Sequence, residues 1–385
     1  MRLFNRGRVE ERAAGDISIG DARRFLDVFE LAGSRNDARM TVSPATSLGM
    51  TAVYRAVSLI SGAIAGLPLK VYQDSGELRQ QVPSWLDDPG VIDDFTPFEL
   101  KEFLMVSLLL HGNAYAFPRR NGGGGVIGLQ PITPSAVSVE MVGNERVYRV
   151  TMADGKQGKF FRDQIVHIRA MSRDGIVGLS PIAAARQSIG TGLAADKVAA
   201  KTFGGGLLIG GVVTPKEQIG EDEGKHLADK FRERAGGHDN AGEVVFVNRA
   251  LDFSPWTMNA KDAQFIESRS FQVEEVARLF GLPVILLADA TKTTSWGAGV
   301  AEVIRATQKF TFASWTARIE ERLSRLLPPG QFCEFDYAGL LEGSTAEVTA
   351  NLVAEIGANL LTIPEARRIL NRPPIAEQGN GGAGQ

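Results

Sequence analysis

The sequence predicts an α+β fold, because helix-like and strand-like patterns occupy different parts of the chain. Between Met50 and Leu67, apolar residues recur in steps of three and four, which is the spacing of one helical face. From about residue 69 to residue 170, short alternating runs separated by turn residues are typical of strands. Long amphipathic segments return after residue 180. Segregated helices and strands favour an α+β architecture over alternating parallel units.

Composition predicts an ordered globular protein that does not grip nucleic acid tightly. Of the 385 residues, 44% are hydrophobic and 23% are charged, which is sufficient for a sizeable core. The 42 basic and 45 acidic residues give a net charge of −3, so a strongly basic phosphate-binding surface is disfavoured. Weak, sliding contact with DNA remains compatible with this balance.

Cysteine content and hydropathy disfavour three further classes of protein. Cys333 is the single cysteine, so no disulfide forms within the chain, and a reducing compartment is expected. One thiol and four histidines make a structural zinc site unexpected. Met1 to Asp16 lacks the apolar segment of a signal peptide, and Arg55 interrupts the most apolar helix-like stretch. We therefore expect a soluble chain.

The first half of the chain predicts an arm, two helices and a β-rich region. Residues 1–44 are charged and rich in Gly, Asp and Arg, which predicts a mobile arm. The first helix ends at Pro68, and Thr96 with Glu99 three residues later has the spacing of a capping box for a second helix to about Leu110. Four glycines at 122–125 predict a hairpin tip. Strands are predicted near 69–71, 114–117, 138–141, 146–151 and 164–168.

The second half predicts helices that surround a small mixed module. Ser180 as an N-cap and Pro181 at the first helical position predict a helix to Phe203, where glycines follow. The remaining predictions are strand 207–213, helix 217–235, strand 243–248, helix 262–281, loop 288–299, a long helix 300–327, strand 332–337, helix 345–357 and a helix capped by Thr362 and Glu365.

Motifs for catalysis and cofactors are incomplete in this sequence. Gly190-Thr191-Gly192 lies within a predicted helix rather than after a strand, and Gly220 to Lys225 is one residue short of a phosphate loop. The carboxylates of Asp87, Asp88, Asp93 and Asp94 lack the spacing of a calcium loop. We therefore predict no enzyme, no cofactor and no metal. One alternative stays open, a hydrolase with Ser180 or His167 in its site.

Several sequence blocks, taken in order, resemble the portal protein family of long-tailed double-stranded DNA phages and gene-transfer agents. Any one block is a weak signal, but their joint order over roughly residues 45 to 375 is specific. The blocks are Ala52 to Val57 with Ile64 to Tyr72; His111 to Ala116 with Leu129 to Ile132 and Pro134; Ile165 to Ile168 with Asp174, Gly175 and Gly178 to Ile182; Phe203 with its glycines; Glu274 to Pro283; Trp315 with Ile319 and Glu320; and Leu361, Thr362, Glu365 to Arg367, Pro373 and Pro374.

The resemblance implies a portal-like subunit that assembles into a ring. Its implied parts are a mobile N-terminal arm (1–44), a β-rich wing (45–179), a first stem helix (180–205), an αβ clip (206–260), a second stem helix (261–283), a tunnel loop (284–299), a long wing helix and strand (300–341), and a short helical crown with a disordered tail (342–385). Portal rings usually have twelve subunits.

The resemblance also implies three sets of site residues. The tunnel loop that faces DNA has Thr291, Lys292, Thr293, Thr294 and Trp296, whose hydroxyls and single cation suit weak phosphate contacts. Channel-lining candidates on the second stem helix are Glu267, Arg269, Glu274, Glu275 and Arg278. The mixed-charge partner surface of the clip has Lys216, Glu217, Glu221, Asp222, Glu223, Lys225, Lys230, Arg232 and Arg234.

The implied function is a portal ring at one capsid vertex, the channel for DNA packaging and ejection. Implied partners are other copies of the chain, the large subunit of the terminase motor, a head–tail adaptor, the major capsid protein and double-stranded DNA bound without sequence preference, with no membrane. The implied location is the virion, after assembly in the bacterial host cytoplasm. Another structural ring or adaptor protein of a phage particle is the nearer alternative to this interpretation.

Overall fold

The fold combines ten α-helices and eleven strands within the part of the chain that the structure, a computed structural model, describes. That part comprises residues 36–74, 76, 79–90, 95–204, 210–215, 220, 222, 224–226, 229, 251–256, 262–287, 298–337, 345–370 and 372–373. The helices are α1 (Pro44–Ser47), α2 (Thr51–Gly66), α3 (Pro97–His111), α4 (Pro181–Ala184), α5 (Arg186–Gly204), α6 (Asp262–Phe280), α7 (Ala298–Thr307), α8 (Ala313–Ser324), α9 (Thr345–Gly357) and α10 (Ile363–Ile369). The predicted α+β class is confirmed.

The strands form four antiparallel sheets. They are β1 (Leu69–Asp74), β2 (Arg79–Gln81), β3 (Asn113–Arg120), β4 (Val126–Ile132), β5 (Val137–Val142), β6 (Glu145–Thr151), β7 (Gln157–Phe161), β8 (Val166–Arg169), β9 (Gly210–Pro215), β10 (Leu251–Trp256) and β11 (Gln331–Phe335). The strand orders are β11-β1-β2, β4-β3-β8, β5-β6-β7 and β10-β9.

The helical core consists of α2 packed against α3. The predicted apolar face of α2 is buried, with Val53, Ile60 and Ile64 at 0% exposure. Helix α3 is buried on several sides because α2, β3 and α4 all contact it, so neighbouring residues such as Leu108 and Leu109 are both fully enclosed. Burial of each such side chain contributes about 1.5–3 kcal/mol, so α2 and α3 form the stable core against which the other elements pack.

Strand β11, which follows α8, pairs with β1, which follows α2. It pairs with β1 so that Leu69 lies opposite Phe335, more than 260 residues away in sequence. The Lys70 ammonium donates a hydrogen bond to Asp336 at 2.6 Å, and this bond raises the pKa of Lys70. A second, aromatic core lies between the two central sheets, where Tyr115 and Tyr148 meet edge to face.

Capping residues define the starts of α3 and α10 as predicted. Thr96 Oγ1 accepts a hydrogen bond from the Glu99 amide at 3.2 Å, and a Glu99 carboxylate oxygen accepts from the Thr96 amide at 2.8 Å. The Thr96 amide and hydroxyl both donate to the Glu99 carboxylate, and these two bonds lower the pKa of Glu99. Thr362 and Glu365 form the same reciprocal box at the start of α10. Local hydrogen bonding therefore fixes these helix starts independently of tertiary packing.

Two predicted helices need correction, and three strands were missed. The helix predicted from Ser180 to Phe203 is two helices, because the backbone leaves helical geometry at Ala185. The long helix predicted from Val300 is interrupted by a π-helical turn at Gln308–Phe312. Strands β2, β7 and β10 were not predicted. The predicted strand at 243–248 and most of the arm lie outside the described residues.

Helix length was also compared with the thickness of a bilayer. Across the described segments, none of the helices combines the length and the apolar character that a membrane crossing needs.

We predict that Ile60→Ala lowers the free energy of unfolding by about 2–5 kcal/mol, because it leaves a cavity in the α2–α3 core. Urea-induced unfolding followed by circular dichroism measures the change. Tyr54→Ala on the same helix is the matched control, because Tyr54 is 62% exposed, and we expect a change within about 0.5 kcal/mol. Equal losses in the two variants would contradict the assigned core.

Candidate functional site

Helices α5 and α6 pack against each other and are called the helix pair. In sequence, α5 precedes and α6 follows the two-stranded ribbon β9–β10. Helix α6 also packs on α2, so the pair is attached to the main core. Gly192 on α5 permits close approach to the start of α2, because a Cβ there would lie 2.7 Å from Met50 Cε, whereas its 3.5 Å from Gln272 Oε1 on α6 is an ordinary contact distance. A Cβ at Gly190 would overlap the Asn36 amide. The Gly190-Thr191-Gly192 motif therefore serves helix packing.

One face of the helix pair is buried and another is exposed and apolar. Val276, Ala277 and Phe280 of α6 are 2–4% exposed and join the main core. In contrast, Phe271 on α6 is 54% exposed and Val198 on α5 is 52% exposed. A contiguous exposed apolar patch is typical of a surface that another chain covers, and these two side chains on packed helices are candidates for such a patch.

The predicted channel-lining residues of α6 fall into a described and an undescribed group. Arg278 forms ion pairs with Glu274, at 3.3 Å, and with Glu275, and its guanidinium lies 5.5 Å from the centre of the Phe271 ring. The structure therefore brings three of the predicted residues together, with a net charge of −1. The side chains of Glu267 and Arg269 lie outside the described residues, although both positions belong to α6.

Between Ala184–Ile189 and the last turn of α6 lies a groove of about 410 Å³. Glu275, Val276, Arg278 and Leu279 line the α6 side. The groove is open, and its walls combine aliphatic side chains with the ion pairs described above. This shape accommodates side chains of another polypeptide better than it encloses a small substrate.

A buried junction positions the start of the helix pair. Asn113 donates hydrogen bonds from Nδ2 to the carbonyls of His111, at 3.0 Å, and Gly178, at 2.9 Å. Its Oδ1 accepts from the Gly178 amide at 2.7 Å and contacts His167 Nε2 at 2.9 Å. The Tyr148 hydroxyl lies 3.2 Å from His167 Nδ1. These bonds join α3, β3, β8 and the segment before α4.

His167 is held neutral in this junction. Burial, together with the charges of Arg146, Arg169 and Arg322, lowers its pKa to about 2. With Asn113 Oδ1 as an acceptor beside Nε2, the neutral ring carries its proton on Nε2 and accepts the Tyr148 hydroxyl at Nδ1. Both ring nitrogens are thus occupied, and the ring has no free site for proton transfer to a substrate.

Ser180 is a helix cap. Its hydroxyl donates to the Leu110 carbonyl at 2.6 Å and accepts from the Ala183 amide at 3.1 Å. The Ser180 hydroxyl is bonded to Leu110 and Ala183, and both ring nitrogens of His167 are bonded to Asn113 and Tyr148, so His167 does not activate Ser180 as a nucleophile. The hydrolase alternative is therefore wrong for this pair of residues. In the part of the chain that the structure describes, no group of three or more His, Cys, Asp or Glu side chains is arranged to hold a metal ion.

Two further predicted sets fall largely outside the described residues. All five tunnel-loop residues lie there, namely Thr291, Lys292, Thr293, Thr294 and Trp296. Of the clip residues, only Asp222 and Lys225 are described, and both are exposed at helical positions. The undescribed members are Lys216, Glu217, Glu221, Glu223, Lys230, Arg232 and Arg234. Their roles stay predictions.

Sequence reasoning missed a cluster of arginines at the junction of the central sheets with α8. Arg146 of β6 and Arg169 of β8 both donate to the Gly175 carbonyl, Arg146 at 2.8 Å. Arg318 of α8 donates to the Arg169 carbonyl at 3.3 Å. The spacing of Arg318, Arg322 and Arg325, in steps of four and three, was a visible sign of one charged helix face.

These features describe a structural subunit in which two packed helices precede and follow a two-stranded ribbon in sequence. The family model for phage portal proteins matches residues 51–371. The chain therefore belongs to the phage portal protein family, as the sequence blocks predicted. Members of this family are structural ring proteins of the particle, which confirms the prediction that the chain is not an enzyme.

Individual relatives agree with this assignment. The portal protein of Enterobacteria phage HK97 is 33% identical over 346 residues, covering 85% of this chain and 80% of that protein. The probable portal protein of Streptomyces phage phiC31 is 37% identical over 300 residues, covering 74% of this chain and 65% of that protein. A chain from the solved neck of an empty gene transfer agent (GTA) particle is similar at 25% identity and a TM-score of 0.56, covering 84% of this chain and 90% of that chain.

We predict that the buried junction makes stability fall with decreasing pH. The unfolded chain protonates His167 near its ordinary pKa of 6.5, whereas the folded chain keeps the ring neutral down to about pH 2. The unfolded state therefore binds one more proton in this window, and stability is lost as pH falls below 6.5, by about 1.4 kcal/mol per pH unit.

Urea unfolding at pH 7 and pH 5 tests this point with the variant His167→Gln. The variant should lose about 2 kcal/mol less between these pH values than the unmodified chain does. Part of the dependence remains, because burial also lowers the pKa of His111. His226→Gln, at an exposed position, is the control and should keep the full pH dependence. An unchanged slope in His167→Gln would refute the assignment of a neutral buried ring.

Proposed function

We propose that copies of this chain form a ring at one capsid vertex of a phage or gene-transfer particle, and that double-stranded DNA passes through its central opening during packaging and ejection. Family membership supports this function. A similar chain in the neck of a GTA particle supports a place at the exit of the particle. We further propose twelve subunits per ring, in keeping with the family.

The observation that carries the proposal is the α5–α6 pair with its exposed apolar side chains. A monomer leaves Val198 and Phe271 more than half exposed on adjacent helices. In a ring, each helix pair lies beside the pair of the next subunit, so that these side chains become covered. Cyclic assembly through unlike surfaces repeats this contact around the ring and leaves a central opening.

We assign parts of the subunit by this arrangement. Helices α5 and α6 are the stem, the ribbon β9–β10 with the segment between its strands is the clip, and the β-rich region with α7 and α8 is the wing. Residues 284–299 are the tunnel loop, and α9 with α10 is the crown. The clip surface around Asp222 and Lys225 docks the large terminase subunit during packaging and a head–tail adaptor afterwards, and the wing faces the major capsid protein.

Weak contact with DNA suits such a conduit. Each phosphate that a protein neutralises adds to the free energy of binding and to its salt dependence, so a densely basic bore would retard the polymer. The net charge of −3 and the partly acidic group Glu274, Glu275 and Arg278 fit a bore that repels phosphates along most of its length. Lys292 and the threonines of the tunnel loop supply the few attractive contacts.

Electron microscopy of the purified full chain tests the proposal directly. We expect a uniform annulus with an opening wide enough for duplex DNA, and α5 and α6 around that opening. A monodisperse monomer at micromolar concentration, or a ring in which α5 and α6 lie at the outer edge, would exclude the conduit function.

The variant Phe271→Ser tests the contact between stem helices. We expect at least about a 30-fold rise in the protein concentration needed for half-assembly, because a central interface aromatic contributes about 2 kcal/mol or more. Sedimentation velocity measures the ring fraction. Ile127→Ser is the control, because Ile127 is an exposed apolar residue of β4, remote from the helix pair. If both variants assemble like the unmodified chain, the stem contact is wrong.

A further inference from the structure

Four arginines from separate elements converge beside the loop that contains Gly175. Arg146 comes from β6, Arg169 from β8, Arg322 from α8 and Arg325 from the turn after it. Arg146 and Arg169 are close, because both donate to the same Gly175 carbonyl. Helix α8 packs against β8, and Arg322 lies one turn beyond Arg318, which bonds the β8 backbone. We refer to these four residues as the arginine cluster.

Positive charge in the arginine cluster is not balanced within the described part of the chain. Asp174 is the nearby carboxylate that interacts with Arg169. Its Oδ1 already accepts hydrogen bonds from Ser172 Oγ, at 3.1 Å, and from the amides of Ile176, at 2.7 Å, and Val177, at 3.1 Å. None of the four arginines has an ion pair within 4.0 Å among the described residues.

Partial burial makes this unbalanced positive charge unfavourable in free energy. Burial lowers the pKa of Arg322, and the charges of Arg325, Arg169 and Arg146 lower it further. The Arg146 Nε group is buried and lacks a hydrogen-bond acceptor among the described atoms. Guanidinium groups remain charged at any physiological pH, so they do not relieve mutual repulsion by losing protons. An oxyanion placed among them relieves both the repulsion and the unfilled donor.

We propose that the arginine cluster is an oxyanion-binding site that takes a side-chain carboxylate from a neighbouring copy of this chain. The proposal rests on the ring assembly proposed above. Guanidinium forks bind carboxylates through paired hydrogen bonds, which four converging arginines supply in excess. The chain also provides the complement, because a total net charge of −3 leaves −7 on the residues outside these four arginines.

A carboxylate of a second copy fits the position of the site better than a DNA phosphate. The arginine cluster belongs to β6, β8 and α8, whereas the helices proposed to surround DNA are α5 and α6. A ring made through unlike surfaces brings a different face of the next subunit against each such site. Complementary charge at that contact also fixes the relative orientation of the two copies.

Charge reversal tests the site in the full chain. We expect Arg322→Glu with Arg325→Glu to raise the concentration for half-assembly by about tenfold or more, measured by sedimentation velocity in low salt. The control is Arg120→Glu with Arg162→Glu, which makes the same change in net charge at exposed positions and should assemble normally. Arg322→Gln with Arg325→Gln, a milder pair, carries the same test if the reversed variant fails to fold.

Zero-length carbodiimide coupling identifies the occupant. Arg322→Lys with Arg325→Lys keeps the charge and introduces amines, and mass spectrometry of rings mixed from ¹⁴N and ¹⁵N chains separates cross-links between copies from those within a chain. We expect mixed-isotope isopeptides from the introduced lysines to Asp or Glu. Cross-links exclusively within one chain overturn the inference.

The assembly result separates this inference from the proposed function. If the unmodified chain forms rings and the reversed variant forms them equally well, the inference fails and the ring stands. If the reversed variant assembles normally but its rings bind duplex DNA more weakly, the site takes a phosphate and the inference is again overturned. If the unmodified chain forms no ring, both fail.

Discussion

Close contact between the backbones of Gly112 and Gly178 determines where the helix pair leaves the core. A side chain on either glycine would overlap the other segment, since a Cβ on Gly112 would meet Leu179 and one on Gly178 would meet the Gly112 carbonyl. Gly112 also adopts a φ of 71°, which ends α3 in a left-handed turn. The approach places Ser180 under the Leu110 carbonyl, so that the cap of α4 is bonded to α3.

Asn113 and His167 depend on this contact and in turn stabilise it. Every polar atom of the Asn113 side chain is bonded, and two of its four bonds go to Gly178. Because unsatisfied buried polar groups cost about 1–3 kcal/mol each, the network holds together as a unit. The adjacent arginines explain why a neutral imidazole, rather than a charged side chain, occupies the centre. The junction and the arginine cluster are therefore one electrostatic system.

Local patterns predicted the helices well and tertiary features poorly. The capping box at Thr96 and the apolar spacing of α2 have purely local causes, and both helices occur where predicted. The π-helical turn is bonded to a distant segment, since Thr311 of that turn donates to the Gly281 carbonyl 30 residues away. Strand β7 was missed because its sequence, Gln157 to Phe161, alternates only weakly between polar and apolar residues. Pairing with β6 stabilises it.

Some residues of the candidate site were predictable from local sequence and others were not. The acids and Arg278 of α6 were predictable, because their spacing of three and four residues forms ion pairs within one helix. The arginine cluster joins residues 146, 169, 322 and 325, and nothing in the local sequence indicates that β8 and α8 pack together. Helical spacing of Arg318, Arg322 and Arg325 identifies a charged face but not its neighbours.

The isolated subunit leaves two kinds of surface energetically incomplete. Phe271 and Val198 expose apolar area, and the arginine cluster holds positive charge that the described carboxylates do not balance. In the proposed ring, each surface of one subunit meets a different surface of the next. Exposed apolar area or unbalanced positive charge therefore needs a matching apolar or acidic surface elsewhere on the same chain. A nearly balanced total charge combined with local imbalance satisfies this requirement. In the proposed ring, contacts between subunits therefore account for these two local imbalances.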